Sequence, residues 1–430
     1  MNRRKKIFAI MFLLTGTMFS LTYCTKHDQV QDLNASTTPD AGDTLWALKV
    51  DAGPAFVSGL GNVWNGSLDP MWDNATALKV NCVVPDLGNN TFTGFIGAAA
   101  DVTMKALYDV NNIYFLAEWN SPKNVKSAQW YFSPSTKMWA QESGAPVYDI
   151  NGVQTRPAFI QDQFTMLFNI NNSCNAFNTL SCYASCHANV PTYSVDTLGH
   201  VITTQNYGGV MRTNGPTEKL DCWRARMLQV LDANQSNDTY IDWGNGAINA
   251  NQVHSDYEAT PFAGGTNRQS LIITGKTTKE NVPVWINLNA NYTNSAILAT
   301  DTVNCKFVMA VDSNGVLSYA DQRGGAITGT IDPNTTGNDY LQVGSGDGPK
   351  CIPGTVVGYY VGSRADVSAN LYYTGTGWRL MLKRALKTSD VSAQDVDLSS
   401  LANTPFGIGV MFNGADNEHA IKTGMMLSFK

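Results

Sequence analysis

The chain has 430 residues, 43% hydrophobic and 15% charged, with a formal net charge of −6 at pH 7. That length and apolar content support a large buried core and exclude a disordered or low-complexity protein. The acidic balance argues against a nucleic-acid partner, whose phosphates need a basic surface.

The first element is an export signal. Met-Asn-Arg-Arg-Lys-Lys forms a basic head, an apolar run from Ile7 to Leu21 follows, and Cys24 closes it. The run, roughly 15 residues, is short for a membrane span and suits a cleaved signal. Ending at a cysteine, it reads as a lipoprotein signal over residues 1–23, with Cys24 lipidated. Tyr23 is bulkier than the small residue usual at that position, and an ordinary cleaved signal peptide is the alternative. Residues 24–43 are polar without apolar period and read as a flexible tether. The expected location is the periplasmic or cell-envelope face of a bacterial membrane, the outer membrane being favoured.

The folded domain is expected over residues 44–430. Val102–Tyr108 and Ile113–Trp119 alternate and flank Asp109-Val110-Asn111-Asn112, the pattern of a hairpin. Phe164–Ile170, Trp378–Arg384, Phe406–Phe412 and Gly424–Phe429 are further strands. Alternating strands separated by turn residues predict a mainly β chain, an antiparallel β-sandwich. A large irregular insertion is expected at about 171–354, with a short helix near Lys219–Leu231. The pairing of residues 255–350 is not legible from their pattern.

Within the insertion, Ser181-Cys182-Tyr183-Ala184-Ser185-Cys186-His187 puts two thiols and an imidazole within six residues. Two nearby thiols suit thioether attachment of haem, and a neutral imidazole suits one axial face of its iron. The usual attachment motif has two residues between the cysteines; this one has three. A local Cys182–Cys186 disulfide is the competing reading. Zinc needs about four ligands, and no second Cys/His cluster supplies them. A copper site built from Cys, His and Met is a further possibility.

A shuttling haem needs a second axial ligand. Met211, preceded by the Gly208-Gly209 pair, is one candidate, and His419 is the reserve. As one of 14 methionines, Met211 equally fits a packing role. Arg224 suits a haem propionate, since guanidinium matches carboxylate bidentately; a surface salt bridge is its plain alternative. Of the eight cysteines, setting Cys24 aside leaves seven, and Cys305 with Cys351 is the best candidate for a disulfide. No nucleophile elbow, zinc-protease helix or P-loop occurs.

The order of these motifs resembles the haem-binding subunit family of ethylbenzene dehydrogenase. Leu68–Ala75 looks like its opening, Val102–Trp119 like its hairpin, and Gln161–Phe164 like the start of its next strand. Cys182-x-x-x-Cys186-His187, Met211 and Asp221-Cys222-Trp223 follow in family order. Gly362–Val367, Gly377–Leu386, Asp395–Asp397 and His419 complete it. Where relatives commonly read Trp-His-Trp-Lys, this chain has Trp223-Arg224-Ala225-Arg226. The resemblance implies a sandwich, similar to DOMON-like and family-nine carbohydrate-binding folds, holding haem at one end of its sheets. In the dehydrogenase subunit itself the haem is non-covalent.

The leading expectation is therefore an exported, lipid-anchored haem protein, c-type favoured and b-type possible. It would pass electrons to a redox partner protein without substrate chemistry of its own. A second expectation is a carbohydrate- or ligand-binding sandwich presenting Trp119, Trp130, Trp139 and Trp243, with Cys182–Cys186 as a disulfide. A third is the electron-transfer subunit of a molybdenum oxidoreductase.

Overall fold

Twelve strands form one continuous sheet that folds over on itself. The computed structural model describes residues 43–59, 61–84, 97–123, 129–141, 147–148, 154–156, 161–174, 177, 181, 185, 192–195, 201–204, 211–213, 215–244, 252–257, 265–288, 297–298, 301, 303–335, 352–389, 393–412 and 420–430. The strands are β1 (Thr44–Lys49), β2 (Leu78–Val83), β3 (Ala99–Tyr108), β4 (Asn112–Asn120), β5 (Gln163–Asn169) and β6 (Leu220–Arg226). They continue as β7 (Asn237–Ile241), β8 (Val253–Ser255), β9 (Ser368–Tyr373), β10 (Gly377–Ala385), β11 (Thr404–Met411) and β12 (Ala420–Phe429). Their order is β8-β7-β6-β5-β11-β12-β1-β3-β4-β10-β9, with β2 pairing β12 and β3.

The pairings are antiparallel except at β1, which lies parallel to both β12 and β3. The expected hairpin is β3–β4, paired from Val102↔Trp119 to Tyr108↔Ile113. Asp109 holds its turn: Oδ1 accepts from the Asn111 and Asn112 amides at 2.8 and 2.7 Å, and Oδ2 from the Tyr114 hydroxyl at 2.7 Å. An aspartate that satisfies the amides of its own turn fixes where the chain reverses.

Period-2 alternation sends one side of each strand into a shared core. Phe164, Met166 and Phe168 of β5, Trp223 and Ala225 of β6, and Phe406 and Ile408 of β11 meet Phe115 and Trp119 of β4 and Leu380 of β10. Phe115 lies 5.8 Å from Trp223 between ring centroids, and Trp119 stacks on Phe164 at 5.3 Å. Such pairs contribute about 0.5–1.5 kcal/mol each beyond area burial. The two halves of the sheet thus pack face to face as a β-sandwich. The Ser236 amide donates to Val367 O at 3.0 Å and the Ala369 amide to Asn234 O at 3.0 Å, drawing the far edges together.

Two sequence expectations need correction. The helix expected near Lys219–Leu231 is a strand for its first part. Leu220–Arg226 pairs with β5 on one side and β7 on the other, and only Met227–Ala233 is helical, here α1. Asn234 ends α1 in the left-handed conformation, φ 55°, its amide bonded to Val230 O. The reason is the alternation Asp221, Trp223, Ala225 on one face, which gains a ladder on both edges that a lone helix would forgo.

The insertion is likewise not one irregular block. Residues 220–255 supply three strands to the main sheet. Strands between residues 265 and 331 build a small second core with the Trp130–Ser133/Met138–Gln141 hairpin, around Phe132, Trp139, Val282, Ile286 and Val311.

Candidate functional site

Strand β6 presents a different chemistry on each face. Leu220, Cys222, Arg224 and Arg226 point away from the sandwich core, while Asp221, Trp223 and Ala225 point into it.

On the outer face, Leu220 and Cys222 join Leu167 of β5, Ile241 of β7 and Ile421 of β12 in an apolar cluster. Cys174 and Phe177, from the segment after β5, complete it, and Met211 and Val253 pack against it half-buried. Asn169 shapes that segment: its Oδ1 accepts from the Cys174 amide at 3.0 Å and its Nδ2 donates to Cys174 O at 2.9 Å. The chain then passes the buried Ser181, which fills the space above Gly407 of β11. A Cβ on Gly407 would lie 2.5 Å from the Ser181 Cβ.

Cys182, Cys186 and His187 lie outside the described residues, as do His419, Cys24 and Cys351. Their neighbours are placed. Ser185, fully buried, accepts at its carbonyl from the Arg212 amide at 2.8 Å. Met211, next to Arg212, accepts from the Gln252 amide at 2.8 Å, and Thr213 donates to Asp242 O at 2.9 Å. One hydrogen bond therefore joins the segment between the two cysteines to the residue after Met211.

Further along the same face, Arg224 stands opposite Thr165 of β5 and Asn237 of β7. Asn237 Oδ1 accepts from Arg364 Nε at 2.6 Å, and the Arg364 guanidinium lies 4.2 Å over the Tyr360 ring. Burial pushes Arg226 down to about 10, helped by the like charges of Arg224 and Arg364. Arg364 and Tyr360 were given no role from the sequence. Read as a strand, Trp223-Arg224-Ala225-Arg226 would have placed both arginines on one face.

The inner face carries a buried ionic cluster. Arg384 of β10 crosses between the layers, its Nη1 2.6 Å from Asp221 Oδ2, and lies 4.8 Å over the Trp223 ring. Its Nη2 donates to Val396 O, while the Val396 amide donates to Asp221 Oδ2 at 3.0 Å. Asp238 and Asp395 adjoin them, and all four side chains are buried. Burial pushes Asp221 up to about 6, with Arg384 opposing the rise. Burial and the neighbouring carboxylates raise Asp238 well above the usual range. Burial works against the Arg384 charge, yet Asp221, Asp238 and Asp395 outweigh it and hold the guanidinium above its ordinary value.

The remaining candidates are placed as follows. Cys305 is buried and accepts from Asn287 Nδ2 at 3.5 Å; its pairing with Cys351 falls outside the described residues. Cys82 and Cys222 are free thiols that burial pushes up to about 12 and 11, far from the thiolate a nucleophile needs. Trp119, Trp130 and Trp139, expected as an exposed binding platform, are buried at 3% exposure each. Trp130 and Trp139 donate to the Asn267 and Gly315 carbonyls at 2.7 Å. Only Trp243 of that group is partly exposed, with the Arg212 guanidinium 4.4 Å over its ring. No helix among the described residues is long and apolar enough to cross a membrane.

No curated protein matches the chain. A family model described as ethylbenzene dehydrogenase matches residues 69–423, which takes in every main-sheet strand except β1 and the greater part of β12. The chain belongs to the ethylbenzene dehydrogenase family.

Proposed function

We propose that the chain is an exported, lipid-anchored haem protein that relays electrons to a redox partner and has no substrate chemistry of its own. The observation that carries this reading is the bond from the Arg212 amide to Ser185 O. It ties Ser185, which lies between the two cysteines in the chain, to the residue after Met211, and Met211 packs against the apolar cluster on the outer face of β6.

The residues present fit the group. Met211 offers a thioether at the rim of an apolar surface formed by Leu167, Leu220, Cys222 and Ile241. Arg224 stands about 13 Å along the same strand from Leu220 and is half-buried with no hydrogen bond or ion pair among the described residues, so it is available to a carboxylate. His187 and Met211 would hold the iron, with His419 in reserve; Cys182 and Cys186 would form the thioether links, and Arg224 would pair with a propionate. Haem held so would supply one-electron chemistry, with a thioether ligand raising its potential. The protein's part is to exclude water with the apolar cluster and to fix the ligands. Cys24 carries the lipid, and residues 25–43 hold the domain off the membrane.

The absorption spectrum of mature protein, produced with haem-maturation machinery, tests the reading. A Soret band is expected, with Met211→Ala altering the reduced spectrum. A colourless protein overturns it. Pyridine haemochrome that extracts into acidified acetone would place the haem without thioethers, as b-type.

Family membership favours a second reading, the electron-transfer subunit of a molybdenum oxidoreductase. Pull-down from native membranes separates the two, since a subunit brings a stoichiometric partner. Burial of Trp119, Trp130 and Trp139 weighs against the carbohydrate-binding reading.

A further inference from the structure

Between the layers of the sandwich, Asp221, Asp238 and Asp395 gather beside the Arg384 guanidinium. Asp221, Asp238 and Asp395 each place a carboxylate oxygen within 4.8 Å of the others. Asp256, itself 2% exposed, adds its charge beside Asp238. Asp221 and Asp238 alone, both ionised, would carry one more negative charge than Arg384 offsets, in a buried region. Arg384 does not serve them equally. It bonds Asp221 Oδ2 at 2.6 Å and stands 3.6 Å from Asp395 Oδ1.

Asp238 is the independent sign of a ligand. Its side chain is fully buried, neither of its carboxylate oxygens has a hydrogen-bond partner, and it is aimed into the cluster. The spare oxygen of Asp221, Oδ1, is in the same condition. A buried carboxylate left bare costs several kcal/mol, so native proteins pair it or coordinate it. β7 lies between β6 and β8 and fixes Asp238 in place, so the side chain cannot turn out to solvent.

We propose that Asp221, Asp238 and Asp395 bind a divalent cation, calcium in preference to magnesium, which ties β6 and β7 to the segment after β10. The donors are all carboxylate oxygens, the set hard cations select. Dehydration favours calcium: magnesium gives up its waters reluctantly and is seldom held by protein oxygens alone, and these carboxylates are buried. A divalent ion would offset the charge that Arg384 leaves on Asp221 and Asp238. The site lies inside the sandwich, opposite the face assigned to haem, and does not depend on that assignment.

The test uses the full mature protein. Metal content is measured by mass spectrometry of the ashed sample, and thermal unfolding is followed after chelation and after adding back calcium or magnesium. Expected are about one calcium per chain and a midpoint several degrees higher in calcium than in chelator, with magnesium giving less. Asp238→Asn, checked for native far-ultraviolet circular dichroism, should lose the calcium-dependent shift. Equal midpoints in chelator and calcium with no bound metal overturn the proposal, leaving protons to neutralise the cluster. An undiminished calcium response in Asp238→Asn also overturns it, by placing the ion elsewhere. Should Asp238→Asn fail to fold, the wild-type measurements decide alone.

Discussion

Replacing Arg384 by methionine tests the ionic staple between the two layers. The guanidinium is fully buried and bonds Asp221 Oδ2 and Val396 O while resting on Trp223. Methionine keeps much of the volume and removes the charge, so the change isolates electrostatics from packing. Breaking a buried pair by deleting one partner costs about 3–5 kcal/mol, because the survivor stays buried and uncompensated. Here Asp238 and Asp395 also lose their only nearby cation among the described residues, which places the expected loss toward the upper end. Native stability is about 5–15 kcal/mol in total, so the variant should remain folded with a much lower urea midpoint. Urea unfolding in chelator-treated buffer, followed by tryptophan fluorescence, gives the loss directly. Asp221→Asn combined with Arg384→Met should cost less than the two singles added, the signature of coupled partners. A loss under about 1 kcal/mol for Arg384→Met, or strict additivity, would show that the pair is not what joins the layers.

Three further outcomes follow from particular contacts. Gly377→Ala should destabilise by at least about 2 kcal/mol, since its Cβ would lie 2.1 Å from Trp119 O, a backbone atom in the paired strand that cannot move aside; an unchanged urea midpoint would refute the geometry. Gly407→Ala, against Ser181, should cost about 1–3 kcal/mol and, under the proposed function, weaken haem retention; an unchanged urea midpoint would refute the Ser181 contact. Asp232 sits in the last turn of α1, and burial pushes it up to about 6 from 3.8. Its folded value is raised, so the neutral form is favoured, and stability is lost as pH rises from 3.8 through about 6. That difference corresponds to about 3 kcal/mol near neutral pH. Asp232→Asn should recover up to that much at neutral pH and nothing below about pH 4; equal gains at both would assign the effect to something other than the charge.

What the sequence disclosed and what it concealed divide along the range of the interactions. The β3–β4 hairpin was legible because its signals are local: alternation on either side of a turn whose aspartate bonds amides two and three residues on. β6 was misread because its cues are not local. Asp221 looks wrong for a buried strand position until it meets Arg384, 163 residues away. Arg384 showed only as the tail of an alternating run, with nothing nearby to mark it as a partner. The second core was hidden for the same reason, since Trp130 is anchored by Asn267, 137 residues distant. The link from Ser185 to Arg212 runs through backbone atoms, which carry no residue signature.

The two faces of β6 depend on each other through register. A strand slipped by one residue exchanges its faces. Asp221, Trp223 and Ala225 would then turn outward, and Cys222, Arg224 and Arg226 would enter the core. Hydrophobicity alone resists that slip weakly, because Leu220 and Cys222 also tolerate burial. The charge pair resists it strongly, since a slipped strand would strand Arg384 without Asp221 and bury two further guanidinium groups unpaired. Buried ion pairs often add little net stability, and fixing register is their best-attested use. The Arg384–Asp221 contact is thus best understood as what keeps Cys222 and Arg224 on the outer face, against whose apolar cluster Met211 packs. An apolar pair, Asp221→Leu with Arg384→Met, separates stability from placement. If the pair sets register, the variant holds haem in more than one environment, seen as a broadened or split spectrum. A single wild-type-like spectrum would assign the register to the ladders with β5 and β7 instead.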